Sequence, residues 1–252
     1  MDRLAALPGG VKAAHKRIGL GLTERKRAPD RVTQVTDRPW TCILFDLDGT
    51  ITDSASGITE SLIHTLERLG RPTPTPAELM EFIGPPIMDG FATMGIPVED
   101  RARALEFYRE RYQERGAFDS HLYDGVVEVL RAVHSAGIPL GLATSKPETQ
   151  ARRILDHYGI DDVFAFIGGA SDDEVRSEKE DVVAWTVDHL RAQGHDLSET
   201  VMVGDRTHDV IGARANGIPT IAVEWGYGSM AEWTGAIAVA KTPSDLRKLL
   251  LG

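Results

Sequence analysis

The chain has 252 residues, 42% of them hydrophobic, with a net charge of −10 at pH 7. That is enough to bury a core as one large domain or two small ones, and it excludes a disorder-dominated chain. No apolar run approaches the roughly 20 residues that span a bilayer, and the single cysteine, Cys42, precludes an internal disulfide, which fits a reducing cytoplasm.

Residues 1–40 hold nine Lys/Arg against four Asp/Glu, so the excess acid lies in the remainder. An acidic body argues against a nucleic-acid platform, because phosphate backbones require clustered cations. The basic arm is broken by Pro8-Gly9-Gly10 and by lysines, which leaves no continuous apolar region for a secretory signal; an unstructured extension over 1–40 is expected.

The first strand signal is Cys42-Ile43-Leu44-Phe45, which runs into Asp46-Leu47-Asp48-Gly49-Thr50. An apolar run that stops at two carboxylates and Gly-Thr reads as a strand entering a tight turn at a sheet edge. In an extended stretch Asp46 and Asp48 point the same way. At about 4 Å and an effective dielectric near 20 their charges repel by roughly 4 kcal/mol, so the pair calls for a cation.

Ile58, Leu62, Leu66 and Leu69 then recur at helical spacing over Ser56 to Leu69, up to Gly70, and Pro72, Pro74 and Pro76 forbid continuation. Further helical pieces are predicted for Ala77 to Phe82, Ile87 to Met94 and Glu99 to about Arg115, with no strand signal between Ser54 and Tyr123. Residues 54–122 therefore read as an all-helical block inserted between 41–53 and 123–252. After Tyr123 the pattern alternates: helices from Val126 and near 148–158, 180–193 and 207–216, and strands near 139–143, 163–167, 200–203 and 218–223, with a further edge strand over Ala236 to Ala240. Such alternation predicts an α/β fold, a doubly wound, Rossmann-like parallel sheet with helices on both faces.

The strand ends carry the remaining chemistry. Thr144-Ser145-Lys146-Pro147 offers hydroxyls and backbone amides at the predicted start of a helix, a seat for phosphate. Arg176 and Lys179 lie beside the next helix, and Gly204-Asp205-Arg206-Thr207-His208-Asp209 places two carboxylates four residues apart on one helical face. Ligands of open parallel sheets collect outside the carboxyl ends of the strands, so both acidic clusters can meet there. Hard oxygen donors point to Mg²⁺ rather than zinc. A carboxylate nucleophile, a metal, a hydroxyl and a lysine are the parts of a phosphoryl-transfer site. Each piece alone has an ordinary structural reading: Asp-x-Asp-Gly as a solvated turn, Thr144 and Asp205 as helix caps, Lys179 as a surface lysine. His208 reads as a neighbour rather than a base.

The ordered set of DxDGT at 46–50, TSK at 144–146, a lysine at 179 before a helix and GDxxxD at 204–209 resembles the haloacid dehalogenase-like (HAD) hydrolase superfamily from about Thr41 onward. Asp53-Ser54, Phe82-Ile83-Gly84-Pro85-Pro86, Arg176 with Lys179 and Gly226-Tyr227-Gly228-Ser229 are similar to the phosphoglycolate phosphatase-like branch, closest to 5′-nucleotidase-like members. One departure is Glu180 after Lys179, where many phosphoglycolate phosphatases carry proline. The resemblance implies a Mg²⁺-dependent phosphomonoester hydrolase of the cytoplasm with 54–122 as a cap. In it Asp46 is the nucleophile and Asp48 the acid and base. Asp46, the Asp48 carbonyl and Asp205 hold the metal; Thr144, Ser145, Lys179 and Arg176 bind phosphate, and Asp209 supports. Phosphoglycolate, nucleoside monophosphates and other small phosphate esters all satisfy these motifs, and no oligomeric state is specified. The competing expectations are a phosphomutase of the β-phosphoglucomutase type and a non-enzymatic phospho-accepting or interaction module.

Overall fold

The computed structural model describes residues 40–252; of the extension expected over 1–40, residues 1–39 lie outside them, and Trp40 packs on the core with its Nε1 donating to the Leu249 carbonyl at 3.0 Å. The chain enters through β1 (Cys42–Phe45), turns into the short β2 (Thr52–Asp53), and then runs through α1 (Ala55–Arg68), α2 (Pro76–Met80), α3 (Ile87–Thr93) and α4 (Val98–Arg111). A π-turn, Tyr112–Gly116, follows α4, and β3 (His121–Leu122) pairs antiparallel with β2, Thr52 opposite Leu122 and Asp53 opposite His121. The expectation of no strand between Ser54 and Tyr123 is thus corrected. Two residues in a ladder leave no periodicity to read.

The remainder alternates as expected: α5 (Val126–Ser135), β4 (Leu140–Pro147), α6 (Glu148–His157), β5 (Phe166–Ala170), α7 (Lys179–Ala192), β6 (Thr200–Gly204), α8 (Thr207–Ala215), β7 (Thr220–Val223), β8 (Ala238–Ala240) and α9 (Pro243–Leu251). The six core strands form a parallel sheet in the order β5-β4-β1-β6-β7-β8. Strand residues alternate between faces. Ile43 and Phe45 join the cluster with Val129, Leu130, Ile154 and Leu155, while Cys42 and Leu44 pack with Val182, Val183, Met202 and Ala213 on the other side. Helices thus cover both faces, the doubly wound arrangement.

Several boundaries differ from the sequence reading, and one helix is added. The strand expected at 163–167 begins at Phe166, because its pairing with β4 starts at Gly141 opposite Phe166, and Asp161–Val163 forms a 3₁₀ turn. Residues 144–147 stay in β4 rather than opening a helix, so Pro147 is the N-cap of α6. Helix α9, which the sequence reading did not include, is capped by Thr242, whose hydroxyl accepts from Asp245 N, and starts at Pro243.

The inserted helices have an apolar cluster of their own, including Ile58, Leu62, Leu66, Leu79, Ile83 and Phe91. Helix α2 begins in a capping box between Thr75 and Glu78, with Pro76 in its first turn. Gly57 of α1 lies against the backbone of Gly116, and a Cβ at residue 57 would collide with the Gly116 carbonyl.

Candidate active site

Strands β1, β4 and β6 are sheet neighbours, so the residues that follow or end them converge at one edge. Asp46, just past β1, has its N–H fixed by the Val203 carbonyl at 2.9 Å. Asp205, just past β6, is fully buried: its Oδ2 accepts from Tyr227 N at 2.7 Å and its Oδ1 from Thr50 Oγ1 at 3.3 Å. Gly49, with φ of +85°, makes this approach possible, since a Cβ there would overlap the Asp205 carboxylate. Asp205 does not cap α8. Asp209 does so from the first turn, accepting from Arg206 N at 2.9 Å, and its other oxygen faces the cluster.

Oxygens of Asp46, Asp205 and Asp209 lie within 4.8 Å of one another, all on buried residues. Lys179 Nζ stands 2.8 Å from both Asp46 Oδ1 and Asp209 Oδ1 and donates to the Ala143 carbonyl at 3.2 Å. Burial works against the lysine cation, but Asp209 and Asp46 outweigh it and raise its pKa. Burial likewise pushes the Asp46 carboxyl up to about 6, against the opposing pull of Lys179. Asp205 is raised by burial first and then by Asp209 and Asp46. One lysine for three buried carboxylates leaves an excess of negative charge, all on hard oxygen donors, so the residues present fit a divalent cation such as Mg²⁺.

The Asp48 carboxylate is not a member of this group. Its Oδ2 lies 2.8 Å from Lys146 Nζ, both side chains being buried, and Lys146 also donates to Tyr112 Oη at 2.8 Å. Asp48 Oδ1 is buried without a hydrogen-bond partner, as is Ser145 Oγ. Thr144, 1% exposed, ends the straight part of β4 and accepts from Lys146 N at 3.3 Å.

Arg176 is not brought to the cluster. Its Nε donates to the Gly169 carbonyl at 3.1 Å, and its guanidinium lies 3.8 Å from Glu148 and 4.2 Å above the Trp185 ring. It braces the loop after β5. His208 is part-buried, and burial lowers its pKa, followed by the effect of Lys179. The residues that the sequence reading missed are Lys146 as the partner of Asp48, Tyr112 as the partner of Lys146, and Thr50 and Tyr227 as the clamps of Asp205.

A cavity of about 250 Å³ opens beside Asp48, between Ser145 and Lys146 of the core and Phe82, Tyr108 and Tyr112 of the insert. Arg206 reaches across to the Ile83 carbonyl and Arg109 to Glu174, so the insert is held over the sheet edge by polar contacts as well as by Lys146–Tyr112.

A family model described as haloacid dehalogenase-like hydrolase matches residues 43–223. The tyrosine-protein kinase PtkA of Mycobacterium tuberculosis is 44% identical over 214 residues, which cover 82% of this chain and 72% of that protein. A 5′-nucleotidase of Pseudomonas aeruginosa is 40% identical over 191 residues, covering 75% and 85% respectively. The crystal structure of a predicted phosphatase from Clostridium acetobutylicum aligns with a TM-score of 0.78 at 34% identity, covering 83% of this chain and 97% of that one.

Proposed function

This chain belongs to the haloacid dehalogenase-like hydrolase family and is a phosphatase; we propose that it hydrolyses a small phosphate monoester, with Mg²⁺, through an aspartyl-phosphate on Asp46. The observation that carries this reading is the convergence of Asp46, Asp205, Asp209 and Lys179 within one buried cluster beside Asp48. Asp46 attacks phosphorus in line, forming the Asp46–phosphorus bond as the ester oxygen departs. Asp48, whose unpartnered Oδ1 is the free face of its carboxyl, gives the proton to that oxygen. It then takes one from the water that cleaves the acyl phosphate. Lys179 offsets charge on the transferred oxygens, with Thr144 and Ser145 supplying hydroxyl and backbone contacts. Asp46, Asp205 and the Asp48 carbonyl would hold Mg²⁺, which when bound supplies positive charge for the phosphoryl oxygens; Asp209 keeps Lys179 in place.

Residues 54–122 act in this reading as a cap, with the β2–β3 ribbon as its attachment and the cavity beneath it taking the alcohol part of the ester. Action in the cytoplasm is part of the same reading. It is supported by the one buried thiol, Cys42, and no helix among the described residues is long and apolar enough to cross a membrane.

The test is release of inorganic phosphate from a panel of monoesters with Mg²⁺ and with chelator, combined with rapid-quench mass analysis of the peptide containing Asp46. Mg²⁺-dependent release and a transient phosphoryl adduct on Asp46 are expected. Adduct formation at another residue would overturn the mechanism. The name of the mycobacterial relative supplies a competing outcome: label from ATP appearing on tyrosine, with no free phosphate released, would redirect the reading to transfer onto a protein hydroxyl.

A further inference from the structure

If the site is the phosphatase proposed above, the cavity beside Asp48 receives the leaving group, and its charge pattern decides which alcohols enter. Two basic side chains line it, Lys146 and Arg109. Both are already engaged by neighbouring groups. Lys146 is 2.8 Å from Asp48 Oδ2 and 2.8 Å from Tyr112 Oη. Arg109 Nη2 lies 2.6 Å from Glu174 Oε1 and donates to the Asp172 carbonyl at 2.8 Å. The same lining includes the carboxylates of Asp48, Asp172 and Glu174, so acids outnumber bases around the space.

A leaving group that carries its own carboxylate would meet this excess with no unpaired cation to receive it. It could gain Lys146 only by competing for it with Asp48 and Tyr112, which already hold the buried ammonium from two sides. Arg109 is withheld in the same way. Glu174, its partner, is the only non-glycine with positive φ among the described residues, at +61°. That conformation is costly for a glutamate and is held in place by the Ser171–Arg176 hydrogen bonds on either side of it. Against the charged groups stands a wall of Ile58, Phe82, Ile87, Leu105, Tyr108 and Tyr112, with the two tyrosine rings stacked at 5.6 Å.

We infer that the cavity selects monophosphate esters of uncharged alcohols with an apolar or aromatic body and rejects esters of hydroxy acids, the rejection coming from the pairing of Lys146 with Asp48 and of Arg109 with Glu174. Selectivity of this kind is built by repulsion as much as by attraction. Hydroxy-acid esters such as phosphoglycolate are therefore poor substrates, although they satisfy every motif of the phosphoryl site.

The deciding measurement compares kcat/KM for 2-phosphoglycolate and 2-hydroxyethyl phosphate, which differ only in carboxylate against hydroxymethyl, alongside phenyl phosphate and a nucleoside 5′-monophosphate to separate simple aryl from nucleoside leaving groups. The acid is expected to be worse than its uncharged match by about tenfold or more, because an unpaired buried charge is a strong discriminator, and at least one aromatic ester is expected to exceed both. Phosphoglycolate turned over as well as, or better than, its match overturns the inference. Glu174→Gln releases Arg109 and is expected to narrow the ratio within the matched pair by about threefold or more; a folded, active variant with an unchanged ratio overturns the role of the pair. No turnover of any ester overturns the phosphatase reading itself and this inference with it.

Discussion

Replacing Lys179 by Met is expected to destabilise the protein more than any other single change at the site, and to do so in a pH-dependent way. The lysine side chain is 4% exposed and its two partners, Asp46 and Asp209, are 4% and 0% exposed, so removal leaves two buried carboxylates without their cation. Breaking a buried ion pair from one side costs about 3–5 kcal/mol. For a domain of this size that is a fall in Tm of roughly 6–20 °C, at about 2–4 °C per kcal/mol. The sign of the pH effect follows from Asp46. Its carboxyl is pushed up to about 6 by burial even with Lys179 in place, against a usual 3.8. A raised carboxyl pKa means that the folded state prefers the protonated form. The penalty is thus absent below the unfolded pKa, grows as pH rises through the folded value, and is full above it. Without the lysine that folded value moves higher still, so the loss in Tm relative to wild type is larger at pH 8 than at pH 5. Circular dichroism melts at both pH values, in chelator and again with Mg²⁺, read this out, and the added cation is expected to restore part of the loss. A fall under about 2 °C at pH 8, or an equal fall at both pH values, would refute the argument that the cluster is short of positive charge.

Three other substitutions probe different links. Asp46→Asn is expected to abolish phosphate release with the melt preserved, and activity within about tenfold of wild type would remove Asp46 as nucleophile. Asp205→Asn should shift the Mg²⁺ concentration needed for half-maximal activity upward, since a charged oxygen donor is lost; an unchanged titration would put the metal elsewhere. Gly57→Ala forces α1 away from the Gly116 carbonyl and is expected to cost about 1–3 kcal/mol in chemical denaturation. An unaltered midpoint would mean that the helical insert is loosely packed there.

The parts of the site that lie next to a strand in sequence were legible without coordinates. Asp46, Asp48, Thr144, Asp205 and Asp209 each follow or end an apolar run, and a buried strand in a parallel sheet has few other signatures. The partnerships were not legible. Lys146 sits two residues from Thr144, but its function is set by Asp48 and by Tyr112 of the insert, 34 residues earlier in the chain. No local pattern encodes such a pairing. The contacts of Arg176 were hidden in the same way: its place near Lys179 suggested phosphate, and nothing local announced the stacking on Trp185 or the bond to the Gly169 carbonyl. The α9 helix did carry a signal, Thr242-Pro243-Ser244-Asp245 ahead of Leu246, Leu249 and Leu250, a cap and an N1 proline before an apolar stripe.

The two-rung ribbon of β2 and β3 has a consequence for the ancestry of the chain. Thr52 and Leu122 are direct partners across it, as are Asp53 and His121, so the path into the helical insert and the path out of it run side by side, about 5 Å apart. The 67 residues between Asp53 and His121 can be added to, exchanged or lost without altering the order, register or burial of the parallel strands, because the surrounding chain needs only a short bridge to close. The machinery that handles phosphorus and the apolar wall that meets the alcohol can therefore change at different rates, because Ile58, Phe82, Ile87, Leu105, Tyr108 and Tyr112 all lie within one continuous stretch of the chain.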